Sequence, residues 1–109
     1  MPIEPQPKRN STLEFERQLL RAMCSHRVSR EQIITSIGRL ANYVWILPEH
    51  ATVFHAICRA IRLDHTSWRE LLPAQATLMG FPDVQWLEYF AADSNEAASL
   101  DELVSRLTR

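Results

Sequence analysis

"SREQIITSIGRLANYV", residues 29–44, is the stretch on which the fold class turns. Isoleucine is β-branched, so a strand has to be weighed here. A half-buried strand would alternate apolar and polar residues, and this stretch does not. Ile33, Ile34, Ile37, Leu40, Ala41 and Val44 instead recur at the helical period of about 3.6 residues. Ser29 and Gln32 form a capping box ahead of them: the hydroxyl takes the amide three residues on, and the side-chain amide returns to the serine. The spacing predicts a helix over 29–44. Gly38 inside it costs up to about 1 kcal/mol against alanine, and a close helix crossing would account for it.

The same devices recur outward from this stretch. Upstream, Ser11 and Glu14 make a capping box for a helix whose stripe is Phe15, Leu19, Met23 and Leu20, Cys24, with Glu16, Arg17 and Arg21 off that stripe. Residues 1–10 hold Pro2, Pro5 and Pro7 and are expected to form a flexible arm. Downstream comes "ILPEHATVFHAICRAI", residues 46–61. Pro48 suits the first helical position, and Val53, Phe54, Ile57, Cys58 and Ile61 make the buried face. Ser67 with Glu70 predicts a further start, with Leu71 and Leu72 inward, and Pro73 is expected to end or kink that helix. Residues 74–79 read as a short segment closed by Gly80 in a left-handed cap. Pro82 is expected at the start of a helix carrying Val84, Leu87 and Ala91 with Trp86 and Phe90. Ser99 with Glu102 caps a last helix with Leu100, Leu103, Val104 and Leu107. The expectation is an all-α protein, a compact irregular bundle of about six short helices, with residues 11–109 as one domain.

Composition agrees with a globule: 109 residues, 46% apolar and 23% charged. The net charge of −1 gives no overall field to draw nucleic acid. The charge is uneven, with a balance of +3 over residues 1–30 and −6 over residues 80–102, where no Lys or Arg occurs. The bland reading is solvated helix faces; the functional one is an acidic docking surface. Cys24 and Cys58 sit in apolar helical patterns without a CxxC, which fits reduced thiols in a cytoplasmic protein. No apolar run approaches the length of a membrane span, and the N-terminus has no secretory h-region.

Candidates for chemistry are few. Cys24, Ser25 and His26 are adjacent in sequence, but catalysis needs a base in space and an activated thiol. His50 and His55 are spaced to point apart. His55 and Cys58 make at most half a metal site, with no second pair. All four histidines, His26, His50, His55 and His65, read as surface or cap residues. The two isolated glycines allow neither GxxxxGK[ST] nor GxGxxG. No enzyme and no cofactor are expected.

Aromatic residues are in surplus for short helices. Trp45, Trp86, Tyr89 and Phe90 are the candidate partner-binding residues, because Trp and Tyr dominate interface hot spots. The alternative is a small DNA-binding transcriptional regulator. It would use Lys8, Arg9, Arg17, Arg21 and Arg39, with the 29–44 helix as reader.

The order of elements resembles a family. Glu16, Leu19, Leu20 and Met23 match E-x-x-L-L-x-x-[LM], and His50, Val53, Phe54 and Ile57 match H-x-x-[IV]-F-x-x-[IL] after a short gap with proline. In these patterns residues 13–62 resemble the N-terminal domain of the replicative hexameric DNA helicase and the helicase-binding domain of bacterial primase. The resemblance implies a small all-helical, non-catalytic module that dimerises or docks on a replication protein. The helicase's linker and ATPase domain have no counterpart in these residues.

Overall fold

The computed structural model describes residues 7–25, 28–64, 66–90 and 100–108, with side chains from Ser11 onward. Six helices are described: α1 (Pro7–Cys24), α2 (Arg30–Arg39), α3 (Pro48–Leu63), α4 (Trp68–Leu78), α5 (Trp86–Phe90) and α6 (Leu100–Leu107). No strand occurs among the described residues, and the fold is the all-α bundle that the periodicity predicts. α3 and α4 pack along one another as a hairpin, α1 lies against α6, α5 and α3, and α2 packs on α6. Leu19, Leu20 and Met23 of α1, Ile33 of α2, Val53 and Ile57 of α3, Leu72 of α4, and Leu103 and Val104 of α6 are buried together. Each large side chain so buried contributes about 1.5–3 kcal/mol.

The helix ends depart from expectation in ways that have local causes. α1 starts at Pro7, so residues 7–10 of the expected arm are helical and Ser11 lies inside the helix. Proline's fixed φ starts a helix without help from a cap. Glu14, freed from the expected box, lies 3.6 Å from Arg17. Residues 1–6, His26, His65, Ala91 and Ser99 fall outside the described residues.

The Ser29 box forms as expected: the Gln32 amide donates to Ser29 Oγ at 3.1 Å, and the Ser29 amide donates to Gln32 Oε1 at 2.9 Å. α2 stops at Arg39, however, short of the predicted Val44. The chain leaves the helix because Tyr43 and Ile46 bond elsewhere, as the next subsection describes. Gly38 is exposed, and a Cβ added there meets nothing within 4 Å, so no helix crosses closely at this point. Gly38→Ala is therefore expected to stabilise the protein by about 0.5–1 kcal/mol. Urea denaturation would register this as a higher midpoint at unchanged slope.

Between α3 and α4 the predicted box of Ser67 with Glu70 is replaced by Asp64. Its Oδ1 accepts from the Thr66 amide at 2.9 Å and the Ser67 amide at 3.0 Å. Pro73 neither ends nor splits α4, which runs unbroken through it. Pro73 lies on the exposed face, while Trp68, Leu72, Gln75 and Ala76 bury the other, and that packing outweighs the lost backbone bond. Gly80 closes α4 as expected, at φ 86°. The Phe81 amide reaches the Ala76 carbonyl at 3.0 Å and the Gly80 amide reaches Thr77 at 2.9 Å, a Schellman motif. Pro82 then lies in a turn, and α5 begins at Trp86 instead, after Val84 has been drawn into the core.

Candidate interaction surfaces

A buried polar clamp sits behind the surfaces. Glu16 was expected off the apolar stripe, yet it is 0% exposed. It continues the Leu20 and Cys24 line back by one turn. Its Oε2 accepts the Tyr43 hydroxyl at 2.5 Å and the Ile46 amide at 3.0 Å. Its Oε1 lies 2.7 Å from His50 Nδ1. A carboxylate only accepts, so Nδ1 donates in this pair. His50, expected at the surface, is 2% exposed. The correction has one cause: three donors converge on a carboxylate that would otherwise be uncompensated in the core. Burial, and then the bond to Glu16, push the Tyr43 hydroxyl well above its ordinary pKa. Among the described residues, the side-chain hydrogen bond of His50 is the one to Glu16. The arrangement ties α1, residues 43–46 and the start of α3 together.

The candidate partner-binding residues divide between two places. On α5, Trp86 is half-buried and stacks on Phe90, with ring centroids 5.8 Å apart and planes 20° apart. Phe90 is 40% exposed and Leu87 82% exposed. Asp83 and Glu88 are exposed beside them. Tyr89 is buried, and its hydroxyl donates to Glu49 Oε2 at 2.7 Å. It fastens α5 to the first turn of α3 and does not face outward. Burial and Glu49 raise its pKa well above the ordinary value. Trp45, half-buried, lies on Phe54 at 5.0 Å and edge-on to Tyr43 at 4.9 Å. Its Nε1 is buried without a hydrogen-bond partner.

A groove of about 440 Å³ opens between α2 and α3. Ile37, Ala41, Phe54, Cys58 and Met79 make its apolar lining, and His55, Arg59 and Arg62 its exposed rim. None of the candidate partner-binding residues lines it. Its signal is the row His55, Arg59, Arg62 running beside the half-buried positions of α3.

Of the basic residues of the DNA alternative, Arg17, Arg21 and Arg39 have described side chains. The Arg39 guanidinium donates to Asp101 Oδ1 at 2.6 Å and Ser105 Oγ at 2.8 Å, joining α2 to α6. Arg17 is exposed near Glu14, while Arg21 is half-buried with its Nε unpartnered. The side chains of Lys8 and Arg9 lie outside the description. Among the described residues no three His, Cys, Asp or Glu side chains are grouped to hold a metal, and no helix is long and apolar enough to cross a membrane.

Both cysteines are free thiols. Burial pushes Cys24 up to about 12 against the partial pull of the Arg69 charge, and burial pushes Cys58 up to about 11. Both values lie above the ordinary 9.0, so the folded state holds these protons more tightly than the unfolded one. The resulting stabilisation is fully present below pH 9.0 and is lost as pH rises toward 11 and 12. The raised tyrosines act in the same direction. Thermal midpoints measured along a pH series should fall on the alkaline side, and thiol-directed reagents at neutral pH should react slowly, with Cys58 ahead of Cys24. No protein-family model, curated protein or solved structure matches the chain.

Proposed function

We propose that this chain is a non-catalytic helical module that works by binding another protein, with α5 as its contact. One observation carries the reading: Leu87 and Phe90 stand exposed beside half-buried Trp86, on a helix anchored from beneath by Tyr89. An anchored helix that displays large apolar groups is organised as interface cores are. The likeness to helicase and primase domains makes a replication protein one class of partner. The free thiols fit a reducing cytoplasm. The DNA alternative has less support, because Arg39, which would read bases, is engaged by Asp101 and Ser105.

The test compares the full chain with a Leu87→Glu/Phe90→Glu variant in cross-linking and retention experiments. The wild-type chain is expected to hold a protein, or a second copy of itself, at least about tenfold better than the variant. Equal retention, or a strict monomer that holds nothing, would overturn the reading.

A further inference from the structure

We propose that the groove between α2 and α3 receives the α5 segment of a second copy of this chain. The inference rests on the interaction reading above and names its partner. The floor of the groove is apolar, and its rim carries Arg59 and Arg62 with no acidic residue among the lining side chains. The hydrogen bond of Arg59 goes through Nε to the neutral amide of Gln75, at 3.1 Å. Arg62 has no carboxylate partner among the described residues. An oily trough with un-neutralised guanidinium groups along its edge fits an amphipathic segment whose apolar residues face in and whose carboxylates lie alongside.

The same chain carries such a segment. Leu87 and Phe90, three residues apart, share one face of α5, and Glu88 and Asp83 are exposed next to them. No Lys or Arg interrupts residues 80–102. The two halves are held apart within one molecule. Tyr89 fixes α5 to Glu49, whereas Cys58 lies in the groove. Those two positions of α3, nine residues apart, are separated by about half a turn around the helix. The contact therefore runs between copies, head to tail.

Sedimentation of the full chain tests this. Reversible self-association is expected, weakening several-fold between about 0.05 M and about 0.5 M salt. Arg59→Glu/Arg62→Glu and Asp83→Arg/Glu88→Arg change only exposed positions, and circular dichroism would verify that both variants are helical. Each alone should self-associate at least about tenfold more weakly than the wild type, because like charges then face each other. Mixed in equal amounts they should associate again, since each α5 then meets a groove of opposite sign. A groove variant that self-associates like the wild type, or a mixture that fails to restore association, would overturn the proposal. A wild-type chain that stays monomeric yet retains a different protein through Leu87 and Phe90 would also overturn it, while leaving the interaction reading in place. If the chain neither self-associates nor retains a protein, both readings fall.

Discussion

Glu16→Ala should destabilise the protein by about 3–5 kcal/mol, since it empties a buried volume and leaves hydrogen-bonding groups unpaired at about 1–3 kcal/mol each. The substitution leaves the Tyr43 hydroxyl, the Ile46 amide and His50 Nδ1 without their shared acceptor. It also opens a cavity between α1 and α3. A chain of this length has roughly 5–15 kcal/mol of total stability, so the loss takes a large part of it. Glu16→Gln tests the chemistry separately from the volume. It keeps the shape, but its amide group turns a donor toward donors, and a smaller loss of about 1–3 kcal/mol is expected. Tyr43→Phe removes one donor and leaves two, and should cost less than either. Urea denaturation followed by circular dichroism measures all three. A loss below about 1 kcal/mol for Glu16→Ala would mean that the carboxylate faces water in solution.

The second large effect is expected at the start of α4. Trp68 is 2% exposed, and Trp68→Ala should destabilise by about 3–5 kcal/mol. Its indole also underlies the Arg69 guanidinium, 4.3 Å from the ring centroid. From there Arg69 donates to the Cys24 carbonyl at 3.0 Å and the Ser25 carbonyl at 2.7 Å. These groups end α1, where a positive charge is favoured by the helix dipole. Arg69→Ala alone should cost about 1.5–3 kcal/mol, since it removes hydrogen bonds from a charged donor. The double substitution should cost less than the sum of the two, because the arginine has lost its platform in the Trp68→Ala background. Strict additivity would show that the stacking contributes nothing.

The helical class was readable because the apolar period is local. Ile33, Ile34, Ile37 and Leu40 state it within two turns, and the Ser29 box and the Gly80 cap need only neighbours in sequence. Helix ends were less legible where tertiary bonds decide them. α2 stops early because residues beyond it bond to Glu16 on another helix, and α4 passes Pro73 because the opposite face is packed. Of the four expected anchors, Phe90 alone stands out as exposed. An aromatic residue has the same sequence signature whether it faces a partner or, like Tyr89, fastens a helix from beneath. Glu16 and His50 depart from expectation because a charged or polar residue ordinarily faces solvent. Both occupy positions that continue an apolar line, and two polar groups on facing stripes are the sign of an internal pair. The Arg59 and Arg62 rim was missed for a different reason. Each arginine looks like ordinary helix surface until α2 is laid beside α3.

The clamp around Glu16 limits how α1 can be seated. A helix with a uniformly oily face can slide by a turn, about 5.4 Å, and still find hydrocarbon to touch. Here a slide would carry the Glu16 carboxylate away from the three groups that bond it. One alignment is thereby set apart from its near neighbours, and the molecule gains a single well-defined arrangement in place of several similar ones.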